Sequence, residues 1–116
     1  CLLMVMLLIH SNAINSGEYF HGPFEITGYD VPFLVIKGDG PSRPLDERAL
    51  DFVQKFSDKV EVVDIETLNY DGIDEDLKEY FGPALAGSVM RLYADALAEH
   101  TGHPLSVRRY MWKMDY

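Results

Sequence analysis

Two side chains with complementary acid–base chemistry lie three residues apart in the first part of the sequence. Glu18 and His21 would share one face of a helix, because residues three apart on a helix are neighbours. An imidazole exchanges protons with hydroxyl groups at neutral pH, since its ordinary pKa is about 6.5. A carboxylate beside the ring can orient it. The pair is therefore a candidate for proton transfer at a hydroxyl group, and the alternative is that both residues only cap and tether the helix.

A short helix is expected to carry this pair. Residues 11–17 are dense in small polar side chains of the kind that form loops and caps. Asn15 has an acidic residue three positions later, which is the spacing of a capping box and predicts a helix that starts near Ser16. Gly22 and Pro23 predict a kink or an end to that helix.

The middle of the sequence predicts a strand, a helix and a second strand. Residues 31–36 are almost entirely apolar, which is typical of a strand buried on both faces. Residues 60–65 (VEVVDI) are predicted to form a second strand. Residues 45–56 have the periodicity of an amphipathic helix, with Pro44 in its first turn. Its apolar stripe comprises Leu45, Ala49, Phe52, Val53 and Phe56. Strand, helix and strand with short connections form a βαβ crossover, so the predicted fold class is α/β.

The remaining segments predict further helices. Residues 77–81 and 84–100 are helical in pattern, and Gly102 is placed to end the second helix. The predicted stripe of that helix comprises Val89, Leu92, Tyr93, Ala96 and Leu97. The apolar residues 1–9 are too few to span a membrane, which takes about 20, so they are expected to form a buried helix or strand.

Charge and cysteine content restrict the possible partners. The 116 residues carry a net charge of -9, so nucleic acids and anionic membranes are poor candidate partners. Cys1 has no second cysteine to pair with, which suits a reducing, cytoplasmic setting. His100 and His103 have a metal-like spacing across a predicted helix end, and residues 71–76 are an acidic run without the pattern of a calcium loop. We expect no metal and no cofactor, and we expect His10 to be a core histidine or a hydrogen-bonding group behind the site.

Residues 16–23, with the sequence SGEYFHGP, resemble a signature of the sugar isomerase (SIS) domain family. The similarity is closest to the family's fructosamine 6-phosphate deglycases, and it also extends to the isomerase domain of glucosamine-6-phosphate synthase. Residues 31–34 resemble the strand after this motif, and residues 47–55 resemble the following helix. Residues 108–110 (RRY) and the terminal acidic–tyrosine pair at 115–116 resemble the C-terminus of the deglycases.

The resemblance implies a doubly wound parallel sheet with helices on both sides, in three αβα layers. Residues 1–116 would be part of an SIS domain, the C-terminal half of the second of two in tandem. The Ser/Thr-rich loop that binds phosphate in the family has no match here, so the resemblance implies that it lies upstream. Two strands alone make a marginal sheet, which agrees with a partial domain or with completion by another chain. Because the family builds its site across subunits, at least a dimer is expected.

The resemblance also assigns roles to individual side chains. The matching histidine opens the sugar ring and is contributed across a subunit interface, and a C-terminal lysine enters the sugar site. Apart from the resemblance, the chemistry of Arg108 and Arg109 leaves two alternatives open: they clamp a phosphate or carboxylate, or they pair with the protein's many acids. The predicted catalytic residues are Glu18, His21 and Lys113, and the predicted substrate contacts are Ser16, Gly17 and Arg109.

One position departs from the family pattern. The family has a glutamate five residues before the position of His10, where it moves a proton between C1 and C2 of the sugar, and this chain has Val5 there. A valine cannot carry a proton. Three alternatives stay open: the chain is impaired in isomerisation, a carboxylate such as Glu18 has taken over, or the protein binds a sugar phosphate without converting it.

The predicted function is the binding and processing of a sugar phosphate, as part of a fructosamine 6-phosphate deglycase that releases glucose 6-phosphate and an amino acid. The expected partner is a phosphorylated sugar or fructosamine, and the isolated chain is expected to be inactive. One alternative is a non-catalytic SIS module that binds a phosphosugar, which Val5 motivates. Another is the isomerase half of a glutamine–fructose-6-phosphate aminotransferase.

Overall fold

The computed structural model describes residues 2–115, so the predictions for Cys1 and for the terminal Tyr116 lie outside the described residues. The chain divides into a central unit, residues 14–86, and a terminal unit that joins the two ends of the chain, residues 2–13 and 87–115. The helices are α1 (Leu2–Leu7), α2 (Ser16–Tyr19), α3 (Arg43–Phe56) and α4 (Lys78–Thr101), and the strands are β1 (Phe33–Lys37) and β2 (Val60–Asp64). Short 3₁₀ helices cover Pro23–Ile26, Ile65–Thr67 and Glu75–Leu77.

The central unit is built on a parallel pair of strands. β1 and β2 run in register from Phe33 opposite Val60 to Lys37 opposite Asp64, and α3 connects them. Parallel neighbours need such a crossover, which confirms the α/β class that the sequence predicts. The prediction that the first strand is buried on both faces is wrong, because Ile36 is 37% exposed and the rest of β1 is only partly buried.

Helix α3 packs on the sheet through a narrower stripe than its periodicity predicts. Ala49 and Val53 are buried and form a core with Tyr19 of α2. Leu45 and Phe56, at the two ends of the predicted stripe, are 44% and 51% exposed. Side chains at the ends of a helix lie beyond the surface that the helix covers, so periodicity alone overestimates their burial.

The terminal unit has its own small apolar core. Leu7 of α1 and Ala94 and Ala98 of α4 are buried, with Leu97 packed against them. The short helix and the long helix predicted for this region form one helix, since α4 continues through Pro83. The predicted stripe is also wrong at Leu92, which is 67% exposed. Apolar residues surround much of α4, so the sequence does not single out the small alanines on which the core is built.

Two further expectations concern the beginning of the chain. Residues 2–7 form a helix, one of the two elements expected there, but the expected burial is wrong for all of them except Leu7. His10 is exposed, so the expectation of a core histidine is wrong. Helix α1 ends before Leu8, whose φ of 56° lies outside the helical region, and the Ile9 N–H donates a hydrogen bond of 3.2 Å back to the Leu3 carbonyl. Within the described residues, no helix combines the length and the apolar character that crossing a membrane requires.

Candidate active site

A single-turn helix carries Glu18, and His21 lies in the turn that directly follows it. Helix α2 covers only Ser16–Tyr19, and the Asn15 side chain accepts a hydrogen bond of 2.8 Å from the Gly17 N–H at its start. The helix ends before Gly22, whose φ of 144° is open to glycine and strained for other residues. A 3₁₀ turn then begins at Pro23. The predicted start and end of this helix are confirmed.

The Glu18 and His21 side chains meet on the outside of α2. Glu18 Oε2 lies 3.2 Å from His21 Nδ1, and the two side chains are 74% and 71% exposed. The predicted shared face is therefore confirmed, and Glu18 directs its carboxylate to the ring while Asn15 alone supplies the side-chain cap. The imidazole is not packed inside the polypeptide, which leaves it available to a substrate.

The contact with Glu18 defines the chemistry of the His21 ring. A carboxylate only accepts hydrogen bonds, so Nδ1 carries the proton in this contact. In the neutral ring, Nε2 is then the proton acceptor, and it forms no hydrogen bond with the part of the chain that the structure describes. Glu18 thus fixes the tautomer, and Nε2 can take a proton from a hydroxyl group and return it.

The inner side of α2 is fixed to the central unit. Tyr19 is only 4% exposed and packs with Ala49 and Val53, while its hydroxyl shares a short hydrogen bond with Thr27. At the start of the helix, the Ser16 hydroxyl donates a hydrogen bond of 2.5 Å to Asp46 of α3. The turn that carries the exposed pair is therefore fixed at its start by the hydrogen bond of Ser16 and at its end by the packing of Tyr19.

The first two residues of α2 have local roles in the structure. The Ser16 hydroxyl is a donor to Asp46, and its oxygen keeps an accepting lone pair. A Cβ added at Gly17 would lie 3.0 Å from Asn15 Oδ1, so a side chain there would press on the cap. The predicted contacts of Ser16 and Gly17 with substrate stay predictions.

The other predicted site residues lie in the terminal unit. Arg109 and Lys113 are exposed, and Val5 is partly buried on α1, the helix predicted to carry the family's glutamate. Among residues 2–115, Arg108 forms no ion pair with an acidic side chain. Its guanidinium donates to backbone carbonyls, including a bond of 2.8 Å to Val107 O. The structure brings Glu18 and His21 together, and the roles predicted for Arg109 and Lys113 stay predictions.

A cluster of charged groups that the sequence analysis missed closes the carboxyl ends of the strands. Arg43 donates two parallel hydrogen bonds of 2.8 and 2.7 Å to the Asp64 carboxylate, and Lys37 Nζ lies 3.0 Å from the same group. These bonds hold the pKa of Asp64 well below its usual range, and the hydrogen bonds from Arg43 are the largest cause. The hydrogen bond to Asp64 in turn raises the pKa values of Arg43 and Lys37. The pairing register of β1 and β2 is the feature that locates this cluster, because Lys37 and Asp64 are opposite each other at the last positions of the two strands.

This charged cluster does not offer a free cation to a phosphate. Glu47 lies 3.2 Å from Arg43 Nε and 3.4 Å from Lys37 Nζ, and Glu66 lies 3.2 Å from Arg43 NH2. Three carboxylates therefore face two cations. A phosphate would meet an excess of negative charge here, so the cluster serves to hold the end of the sheet together.

A partly buried hydrogen bond lies beside an acidic cavity. The Tyr70 hydroxyl donates a hydrogen bond of 2.5 Å to Asp39, and burial followed by this carboxylate raises the pKa of Tyr70 to about 12. The adjoining cavity has a volume of about 910 Å³, and six of its twelve lining residues are acidic: Asp39, Glu66, Asp71, Glu75, Asp76 and Glu79. This charge is unfavourable for a sugar phosphate. In residues 2–115, no three His, Cys, Asp or Glu side chains converge as metal ligands would.

Comparison with known proteins places this geometry in context. No protein-family model matches the chain. Fructosamine deglycase FrlB of Bacillus subtilis is 51% identical over 116 residues, which are 100% of this chain and 35% of that protein. The fructoselysine 6-phosphate deglycase of Escherichia coli K12 is 36% identical over 108 residues, 93% of this chain and 30% of the relative. The chain thus spans about a third of the length of the curated relatives that it matches.

Solved structures agree with the sequence comparison. A Bacillus subtilis crystal structure described as a phosphosugar isomerase superposes with a TM-score of 0.93 at 51% identity, over 100% of this chain and 35% of that one. A Salmonella typhimurium structure with the same description gives 0.92 at 44% identity, over 100% and 36%. The chain is therefore a homologue of the fructosamine and fructoselysine 6-phosphate deglycases with the fold of a phosphosugar isomerase segment, which confirms the SIS resemblance of residues 16–23.

Proposed function

We propose that this chain is the part of a fructosamine 6-phosphate deglycase that opens the sugar ring. The observation that carries the proposal is the exposed Glu18–His21 pair on its anchored turn, within a chain that is 51% identical to a fructosamine deglycase over its whole length. A residue that is oriented, exposed and free at one ring nitrogen is suited to act as a general base.

The proposed chemistry has three steps. His21 Nε2 takes the proton of the anomeric hydroxyl of the sugar and delivers it to the ring oxygen, which breaks the C–O bond of the ring. A base then moves a proton from C1 to C2, while the proton of the amine nitrogen passes to the C2 oxygen. This converts the amino ketose into an imine of glucose 6-phosphate at C1. Water adds to the imine carbon, and the amine leaves as glucose 6-phosphate forms. Of the three steps, only ring opening is assigned to a side chain of the central unit, which is His21.

The second step lacks its expected base in this chain. Val5 occupies the helix α1 position where the family has a glutamate, and its side chain has no group that exchanges protons. A positioned general base contributes about 10² to 10⁴ in rate. We therefore expect ring opening to be intact and overall turnover to be weak.

The test exchanges a segment of a working enzyme. The matched segment of the Bacillus subtilis deglycase is replaced by this chain, and we call the product the exchange enzyme. Amine release from fructoselysine 6-phosphate is measured with Val5 and with Val5→Glu. We expect weak release with Val5 and recovery of about 10²-fold or more with glutamate. Met4→Glu, an exposed position on the same helix, is the matched control and should restore nothing.

Two results would contradict the proposal. One is a folded Val5→Glu exchange enzyme that releases no amine while the unmodified host does. The other is equal recovery with Met4→Glu, since this would mean that added negative charge rather than a positioned base is responsible.

Val5 favours one second candidate, a module that binds a phosphosugar without converting it. Calorimetry on the Val5 exchange enzyme with fructoselysine 6-phosphate distinguishes the two. Saturable binding without any amine release, together with no gain from Val5→Glu, would support the non-catalytic module. Absence of binding would exclude it.

We also propose that the chain is part of a larger SIS domain and acts in at least a dimer. The match to about a third of each relative supports the first point. The exposed apolar side chains of Ile26, Tyr29 and Phe56, at 60%, 69% and 51%, support the second, because such groups are commonly covered by protein. Sedimentation equilibrium of the exchange enzyme tests the dimer, and a monomer mass at micromolar concentration would contradict it.

A further inference from the structure

We infer that Asp46 is a positioning residue for the Glu18–His21 pair, an inference that rests on the proposed function. Its carboxylate binds two elements at once. Oδ1 accepts the hydroxyl hydrogen of Ser16 at 2.5 Å, and Oδ2 accepts the backbone N–H of Gly38 at 3.0 Å. One side chain therefore joins the first residue of α2 to the residue that follows β1.

Helix α2 needs such an anchor because it is a single turn. An isolated turn is unstable, since it fixes several backbone angles for very few hydrogen bonds. Glu18 and His21 are exposed, so their own side chains do not hold the turn in place. The placement of the pair then depends on Tyr19 in the core and on the bond from Ser16 to Asp46.

Asp46 is itself well supported. It lies in the first turn of α3, where the helix dipole favours a negative charge, and it is only partly exposed. The next two turns of α3 place Ala49 and Val53 in the core. Because the backbone of α3 is held in the core, the Asp46 carboxylate has a fixed position and can fix Ser16 through their hydrogen bond. Hydrogen bonds to an ionised acceptor are stronger than those between neutral groups.

The two arms of the Asp46 contact respond differently to substitution. Asp46→Ala removes both hydrogen bonds, and Ser16→Ala removes only the arm to α2. Asp46→Asn keeps both in altered form, because its oxygen can accept from Gly38 while its NH₂ donates to the Ser16 oxygen. Asp51→Ala is the matched control, an exposed acid on the same helix.

The experiment measures kinetics and hydrogen exchange on the exchange enzyme with Val5→Glu. We expect Asp46→Ala and Ser16→Ala each to lower kcat about tenfold with little change in KM, because a small displacement of the base weakens catalysis. The double variant should be no slower than Asp46→Ala. Asp46→Asn should restore most of the rate, and Asp51→Ala should leave it unchanged.

Hydrogen exchange gives a readout that does not need activity. The N–H groups of Glu18 and His21 donate within the turn at 2.9 Å, so peptides that cover residues 14–22 should exchange about tenfold faster in Ser16→Ala and Asp46→Ala. Peptides that cover residues 49–56 should be unaffected. If the Val5→Glu exchange enzyme without further substitutions is inactive, the proposed function fails. The hydrogen-exchange rates of residues 14–22 still decide whether Asp46 positions the pair.

Three outcomes would overturn the inference. The first is unchanged exchange in residues 14–22. The second is faster exchange everywhere with a lower Tm and an unchanged kcat, which would mean that Asp46 only stabilises the fold. The third is a raised KM in Ser16→Ala whose effect adds to that of Asp46→Ala, which would make Ser16 a substrate contact independent of Asp46.

Discussion

The central unit contains two sets of acidic and basic side chains at similar distances, one exposed to water and one largely shielded from it. Glu18 and His21 lie 3.2 Å apart with more than 70% of each side chain exposed. Asp64, Arg43 and Lys37 lie 2.7 to 3.0 Å apart with 14% to 22% of their side chains exposed. Distance alone does not distinguish the two sets, and burial does.

Burial decides what each set can do. Around Asp64, bound cations hold the pKa of the carboxyl low and keep every charged atom occupied, so the cluster stabilises the fold and does not bind or react. Around His21, water surrounds both side chains, and so exposed a contact is worth little to stability. The same exposure leaves Nε2 free for a substrate. We infer that the exposed pair is the reactive one and that the buried cluster is the structural one.

The largest expected effect breaks the exposed pair at its reactive group. His21→Gln in the Val5→Glu exchange enzyme should lower amine release by about 10² to 10⁴, because the proton carrier is lost. Its Tm should hardly move, since exposed substitutions usually change stability by less than about 0.5 kcal/mol. Initial rates and thermal unfolding measure the two effects. His100→Gln, at an exposed histidine near the end of α4, is the control, and an equal loss there would contradict the assignment.

A smaller effect breaks the buried cluster. Asp64→Asn removes the charge that Arg43 and Lys37 share, and we expect Tm to fall by about 5 °C with kcat unchanged. Thermal unfolding of the 116-residue chain or of the exchange enzyme measures the loss. Asp58→Asn, at an exposed acid beyond the end of α3, should leave Tm in place. If Asp64→Asn lowers kcat without lowering Tm, the structural role assigned to the cluster is contradicted.

The pH dependence sharpens this second prediction. Asp64 has a lowered pKa in the fold, so its contribution to stability is fully present above the pKa of the unfolded chain, near 3.9, and is lost as pH falls toward the folded value. The Tm difference between Asp64→Asn and the unsubstituted protein should thus be constant from about pH 5 to 8 and shrink below about pH 4. A difference that grows in acid would contradict the role of Asp64.

Local patterns in the sequence were enough to predict much of the central unit. The turn signals at Asn15 and Gly22 bracket α2, and the periodicity after Pro44 locates α3. These features depend on neighbours within a few positions. The parallel pairing of the two strands also follows, because a helix between two apolar strands leaves few other arrangements.

Contacts between distant residues were beyond the reach of such patterns. The bond from Ser16 to Asp46 spans 30 positions, and the bond from Arg43 to Asp64 spans 21. Both require the packed arrangement of α2, α3 and the strands before they can be recognised. The wrong prediction of burial for Leu92 in α4 has another cause. Apolar residues lie on most sides of this helix, so the sequence pattern does not indicate which face is buried.

The smallest expected effect separates orientation from charge within the exposed pair. Glu18→Gln keeps an oxygen that can accept from Nδ1 of His21, so the tautomer is retained and only the charge is lost. An exposed ion pair is worth up to about 1 kcal/mol, so kcat of the Val5→Glu exchange enzyme should fall no more than about fivefold. Glu18→Ala, which also removes the acceptor, should cost more, and Glu25→Gln on the following turn should cost nothing. Equal rates for Glu18→Ala and the unsubstituted enzyme would mean that the ring is oriented without Glu18, and the reactive pair would reduce to a lone histidine.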